Sequence, residues 1–184
     1  MVRIRPAARP GPYRPDQGDQ GRGGIPVMTT AENVVRRMTE RGLTLATAES
    51  TTGGLAGHLV VAVPGASKVF VGGVAAYGRK PKTGWLGIDP ALILQAGSVS
   101  EETALAMAQG ARQALGTAVG VSETGIASPT GNPDRPGGLY CLALAAEGYE
   151  RTERQIFPGD RLETMQAAAE RALQMILEYL DATA

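Results

Sequence analysis

Residues 44–56 read TLATAESTTGGLA. A short apolar run ends at Glu49 and Ser50, two threonines and a glycine pair follow, and at Leu55 an apolar segment with helical spacing begins. Strand, tight polar turn and helix in that order open a layered α/β fold. The junction also has chemical potential. The first N–H groups of a helix have no partner inside it, so a hydroxyl placed there sits beside donors that can bind an anion or a developing oxyanion. An ordinary Ser or Thr N-cap, with the glycines packed against a sheet, would give the same pattern. The stretch therefore speaks more firmly for the fold than for the chemistry.

Outward from this junction, the rest of the chain reads in the same alternating way. Residues 29–43 predict a helix, with Thr29 or Thr30 as N-cap, Val34, Val35 and Met38 on one stripe and Gly42 as the stop. Strand 43–49 comes next, then a helix over 52–62 ended by Pro64 and Gly65. Residues 67–78 predict a strand whose Gly72-Gly73 pair marks a bulge or a close backbone approach. RKPKTGWLGID (79–89) reads as a polar connection, and Asp89-Pro90 opens a short helix that stops at Gly97. Ser100 is the expected N-cap of a longer helix, with Glu101 and Glu102 favourable in its first turn. Residues 117–125 predict a third strand, and a loop rich in Pro and Gly leads to two adjacent strands that turn at Glu147-Gly148. A closing helix from Gly159 carries Met165, Ala169, Leu173, Ile176 and Leu180 along one side. The expected architecture is a single-domain α/β layered sandwich, with a mixed, mostly parallel sheet covered by helices on both faces.

Composition narrows the function classes. The 184 residues carry 18 basic and 18 acidic side chains, so overall charge gives no reason to expect nucleic acid or an anionic membrane as partner. No window is long and apolar enough for a transmembrane helix. The one cysteine, Cys141, cannot form an internal disulfide, which points to a reducing cytoplasm. With a single histidine, His58, a zinc site is not expected, and no other metal or cofactor is called for. Residues 1–28 are read as an N-terminal extension to a domain over 29–184. Five Arg, five Pro and five Gly precede Thr29, a composition that cannot bury enough surface to offset the entropy of ordering. Met28 would then serve as an alternative start, and the bland reading of the basic arm outweighs a nucleic-acid-binding one because interleaved aromatics are lacking.

Polar stretches at the carboxyl ends of the first three predicted strands supply the candidate chemistry, because ligands of open α/β sheets lie there. Ser50 and the Thr52-Gly53-Gly54 turn follow the first. Tyr77, Arg79, Lys80 and Lys82 follow the second, either as a solvated basic loop or with one lysine, lowered in pKa by burial or a neighbouring cation, acting as base toward Ser50. Thr124 and Gly125 follow the third. Arg161 opens the closing helix, either as a bidentate anion ligand or paired with a neighbouring acid such as Asp160. His58 stands eight residues beyond Ser50, roughly 12 Å along a helix, too far to serve Ser50 as base.

Five segments in this order carry a family resemblance: AESTTGG (48–54), GGVAAY (72–77), GSVSEETA (97–104), TGIASPTG (124–131) with RPGGLY (135–140), and FPGDR (157–161). The chain resembles the CinA C-terminal domain family over roughly residues 30–181, as a stand-alone member without the separate N-terminal domain of longer CinA proteins. Catalytic members of that family are nicotinamide mononucleotide (NMN) deamidases. The resemblance implies a cytoplasmic homodimer that hydrolyses the carboxamide of NMN to nicotinate mononucleotide and ammonia, without metal, in pyridine nucleotide salvage. It implies Ser50 as nucleophile and Tyr77 and Lys82 as proton-transfer residues. It implies Thr52, Gly53, Gly54, Thr124, Gly125 and Arg161 around the substrate, with backbone N–H groups near Gly53-Gly54 or the 124–127 loop facing the oxyanion. The family usually has Cys where Thr51 stands, Ser-Asn where Gly78-Arg79 stand and a second Arg near Met165; Pro81 precedes Lys82. A non-catalytic nucleotide-binding or regulatory module is the alternative that Arg79 and Met165 favour. A nucleic-acid-associated competence factor rests on the family name and the basic arm alone.

The composition of residues 1–27 gives them no core to join. A chain beginning at Met28 is expected to keep the full thermal midpoint and any activity of the whole protein; a fall of several degrees would show that the extension packs on the body.

Overall fold

The computed structural model describes residues 28–184, so the reading of the N-terminal extension lies outside the described residues. Helix α1 (Thr30–Glu40) begins with a reciprocal cap between Thr29 and Glu32 and buries Ala31, Val34, Val35 and Met38. Strand β1 (Leu45–Glu49) is buried at every position. Helix α2 (Leu55–Val61) follows, and a single 3-10 turn (Ala66–Lys68) leads to β2 (Phe70–Ala75). Helices α3 (Arg79–Gly84), α4 (Pro90–Ala96) and α5 (Glu101–Leu115) precede β3 (Val119–Gly125), the hairpin β4 (Leu139–Ala146) and β5 (Tyr149–Ile156), and the closing helix α6 (Arg161–Ala182).

The five strands lie in the order β2-β1-β3-β4-β5. Pairs β1–β2 and β1–β3 are parallel, while β3–β4 and β4–β5 are antiparallel. The sheet is mixed, as expected, but evenly divided rather than mostly parallel. The hairpin returns β4 directly onto β3 by a connection that has no crossover helix. Helices cover both faces. On one, α1, α2 and α6 pack over Leu45, Val121, Leu142 and Leu144. On the other, α5 and the α4 region pack over Ala46, Ala48, Cys141 and Ala143.

Several boundaries differ from the sequence reading for identifiable reasons. Helix α2 starts at Leu55 rather than residue 52, because Gly53 and Gly54 take positive φ angles of 67° and 111° and form a turn. The polar connection after β2 contains helix α3, which accommodates Pro81 in its first turn, where a missing N–H is harmless. The glycine pair in β2 serves both expected purposes. The β1–β2 register shifts between Leu45 and Ala46, and a Cβ on Gly73 would lie 2.3 Å from Thr47 Oγ1.

Chain order places the site. From β1 the chain passes to β2 at the sheet edge, then returns behind β1 to β3 on its other side. The C-terminal ends of β1 and β3 therefore flank a crevice at the point where the connections change direction. Helix α5 lies so close to β3 beneath it that a Cβ on Gly120 would sit 2.2 Å from the Ala108 carbonyl oxygen and 2.9 Å from Arg112 Cβ. Both obstacles belong to a packed helix and cannot swing aside. Gly120→Ala should therefore cost about 1–3 kcal/mol, read as a lower urea midpoint with unchanged slope; an unchanged midpoint would mean that α5 is free to shift.

Candidate active site

A pocket of about 340 Å³ opens at that crevice. Six of the nine residues expected at a site line it: Ser50, Tyr77, Lys82, Thr124, Gly125 and Arg161. Thr51, Ser98 and the segment Ile126–Ser128 complete much of its wall.

Ser50 is the first residue beyond β1 and is buried. Its amide N–H donates to Glu123 Oε1 at 2.6 Å and to the Glu123 carbonyl at 3.2 Å, which ties the turn after β1 to β3. Lys82 is the one buried residue of α3, and only 2% of its surface is exposed. Its Nζ lies 2.7 Å from Ser50 Oγ and 2.8 Å from the carbonyl oxygen of Ala76, at the end of β2. The helix after β2 thus drives one lysine inward while Arg79 and Lys80 stay exposed. Burial pushes the Lys82 ammonium below its ordinary value, and the Glu123 carboxyl works against that fall. The lowering comes from desolvation and not from a neighbouring cation, one of the two causes the sequence left open.

Thr52, Gly53 and Gly54 are not brought into the pocket. The donors of Thr52 and Gly54 face the chain's own acids. The Thr52 amide donates to Glu123 Oε1 at 2.9 Å, and its hydroxyl lies within 2.8 Å of both Glu49 Oε2 and Glu123 Oε1. The Gly54, Ala56 and Gly57 amides donate to Glu49 at 2.9–3.0 Å. The anion bound at the N-terminus of α2 is therefore Glu49, and the Gly54 amide is not available to an oxyanion.

The other expected residues are placed as follows. Tyr77 stands at the rim, 69% exposed, so the direct Lys82–Ser50 contact has no need of a tyrosine relay. Thr51, where the family usually has Cys, exchanges hydrogen bonds with Gly125: its hydroxyl donates to the Gly125 carbonyl at 2.9 Å and accepts from the Gly125 amide at 3.0 Å. The Thr124 hydroxyl donates to the Ser98 carbonyl at 2.7 Å and pins the loop before α5 to the site. Gly125 leaves room for the ring of Tyr140, its cross-strand partner, which a Cβ would meet at 2.3 Å. Burial pushes the Tyr140 phenol up to about 12. Asp160 caps α6 in a reciprocal pair with Glu163, so Arg161 makes no ion pair with it and faces the pocket. His58 is exposed on α2 and lies outside this pocket.

Sequence reasoning missed Glu49 and Glu123 as functional residues. They are side by side in the β1–β3 register, with only 2% and 1% of their surfaces exposed. The available signal was a glutamate inside each apolar strand, followed at once by a hydroxyl residue, in AEST and SETG. Burial pushes the Glu123 carboxyl up; the Thr52 and Ser50 donors oppose the rise, and neighbouring Glu49 adds to it. Among the described residues, no three His, Cys, Asp or Glu side chains converge as a metal-ligand set, and no helix is long and apolar enough to cross a membrane.

A five-stranded α/β fold with a buried Ser–Lys pair at its crevice defines the class of protein. The comparisons with known proteins make it particular. The model of the CinA C-terminal domain matches residues 27–180, and the chain belongs to that family. It is 44% identical over 153 residues to a CinA-like protein of Syntrophotalea carbinolica, covering 83% of this chain and 37% of that one. It is 42% identical over 159 residues to a CinA-like protein of Myxococcus xanthus, covering 85% and 38%. The chain thus spans less than two fifths of the length of these relatives. Among solved structures, the competence/damage inducible protein CihA of Agrobacterium tumefaciens superposes with a TM-score of 0.79 at 33% identity, covering 83% of this chain and 93% of that one. A CinA superfamily protein of Klebsiella pneumoniae gives 0.80 at 27% identity, covering 83% and 96%.

A lysine kept below its ordinary value of 10.5 in the fold binds fewer protons than in the unfolded chain. Folding stability at this site therefore rises with pH between the lowered value and 10.5. Relative to Lys82→Met, which lacks the amine, the wild type should gain thermal midpoint as pH rises through that window. Parallel curves for the two proteins would show that Lys82 titrates normally.

Proposed function

We propose that the protein hydrolyses the carboxamide of nicotinamide mononucleotide, with Ser50 as nucleophile and Lys82 as its base. One observation carries the reading: a buried lysine within 2.7 Å of a serine hydroxyl on the wall of an open pocket. The resemblance to the CinA C-terminal domain family, whose catalytic members are NMN deamidases, supports the choice of NMN as the amide. A serine hydroxyl attacks an amide only if its proton is taken as the C–O bond forms. A desolvated, neutral Lys82 can take it directly. The resulting ammonium stands beside the oxyanion and supplies the opposing charge that the occupied α2 amides cannot. Collapse breaks the C–N bond, and Lys82 returns the proton to the departing ammonia. Water then attacks the Ser50 ester with Lys82 again as base, releasing nicotinate mononucleotide.

The remaining wall suits the rest of the substrate. Arg161, exposed at the start of α6 and facing the pocket, offers bidentate contact to the 5′-phosphate. Tyr77 at the rim offers an aromatic face to the pyridine ring.

Purified protein should release ammonia from NMN with a chelator present. Ser50→Ala should lower kcat at least about a hundredfold, Lys82→Met should abolish turnover with the fold intact, and His58→Gln should change little. The activity should climb with pH as Lys82 loses its proton, with its midpoint below 10.5. Wild-type turnover by a folded Ser50→Ala protein removes Ser50 from the mechanism, and NMN that binds without ammonia release favours a nucleotide-binding module.

A further inference from the structure

The pairing of Glu49 with Glu123 poses a problem in counting protons. The two carboxyls lie opposite each other on adjacent parallel strands, buried, and among the described residues no Lys or Arg is ion-paired to either. Their donors are unequal. Glu49 receives three backbone N–H groups spread over both oxygens. Glu123 receives two, both on Oε1, and its Oε2 is buried without a hydrogen-bond partner. Between them, the single hydroxyl of Thr52 lies 2.7 Å from Glu49 Oε2 and 2.8 Å from Glu123 Oε1. One hydroxyl hydrogen serves one of these contacts. With both acids ionised, the other contact would set a lone pair of Thr52 against a carboxylate oxygen, and an unpartnered anionic oxygen would remain buried.

We propose that Glu49 and Glu123 share a single proton, carried by Glu123 and donated to the Thr52 hydroxyl, which in turn donates to Glu49, and that Glu123 acts in this neutral form as a positioning residue that leaves Lys82 without a counter-ion. Every short contact then has a donor and an acceptor. The negative charge rests on Glu49, where three amides at the start of α2 meet it. Two carboxyls sharing one site behave this way because the second charge is the costly one.

The charged and titratable groups facing Glu123 come from four elements. Glu49 on β1 opposes ionisation, and Tyr140 on β4 is neutral at ordinary pH. Lys82 on α3 favours ionisation, but only while it is itself charged. Arg161 at the start of α6 acts on Tyr140 and is exposed, so its field is screened. Lys82 and Glu123 therefore have two self-consistent states: both charged, or both neutral. Burial of both, together with the charge on Glu49, selects the neutral pair, and in that pair the lysine is a base.

The role given to Lys82 rests on the proposed amide hydrolysis, but the shared proton can be tested without substrate. In protein isotope-labelled at the glutamate carboxyl carbons, NMR at neutral pH should show one un-ionised glutamate in the wild type and none in Glu123→Gln. The Lys82 side-chain carbon should titrate in Glu123→Gln within a few tenths of a pH unit of its wild-type midpoint. Full ionisation of every glutamate in the wild type overturns the proposal with no variant needed, should Glu123→Gln fail to fold. A fall of about one unit or more in the Lys82 midpoint in Glu123→Gln overturns it too, since that would reveal a lost counter-ion. Lack of ammonia release from NMN would sink the functional reading and leave these titrations untouched.

Discussion

The carboxylate of Glu49 organises the site. It ends β1 and turns to meet the amides of Gly54, Ala56 and Gly57 and the Thr52 hydroxyl. Hydrogen bonds to a charged acceptor contribute about 1.5–3 kcal/mol each, so four of them fix how the chain leaves β1 and enters α2. The constraint extends to neighbouring strands. The Glu49 carbonyl accepts from the Ala76 amide at 2.7 Å, and the Ala76 carbonyl accepts from Lys82 Nζ. One residue thereby holds the turn that presents Ser50 and the strand end that orients Lys82.

This arrangement inverts the usual use of a helix N-terminus. In many α/β proteins, free amides after a strand bind a ligand's phosphate. Here the chain's own Glu49 and Glu123 occupy most of them, and the pocket wall is left with the guanidinium of Arg161 and the amine of Lys82. An incoming anion meets the Arg161 side chain rather than a cradle of α2 amides. The division of labour follows: α2 supplies rigidity beneath Ser50, α3 supplies the amine of Lys82, and α6 supplies the charge of Arg161.

Much of this was legible in the sequence. Period and punctuation located all five strands and the long helices, because alternation, caps at Thr29 and Ser100, and the Glu147-Gly148 turn are local signals. Ser50, Tyr77, Lys82, Thr124, Gly125 and Arg161 were legible because each stands at a strand end or helix start that the topology gathers. The direction of β4 against β3 was not, since a strand returning antiparallel on β3 depends on pairing and not on any residue in the loop. Helix α3 was hidden by its composition: RKPKTG reads as solvated, and only tertiary packing shows that Lys82 alone turns inward. The roles of Thr52 and Gly54 were misread because sequence shows which amides a helix start leaves open, and not which acid closes them.

The two glutamates also explain why a lysine can sit beside Ser50 at all. A buried ammonium costs several kcal/mol unless it is paired, and an ion pair with Glu123 would lower that cost by holding Lys82 charged. A charged lysine beside Ser50 can donate to its oxygen but cannot accept its proton. Placing Glu49 next to Glu123 removes that compromise, because the charge the strand ends can support is already spent on the α2 amides. Lys82 is then left with a carbonyl and a hydroxyl as its partners. A neutral amine satisfies both, giving one hydrogen to the Ala76 carbonyl and turning its lone pair toward the Ser50 hydroxyl. In this reading the buried acids take no part in bond making; they keep a cation from forming until the serine supplies the proton.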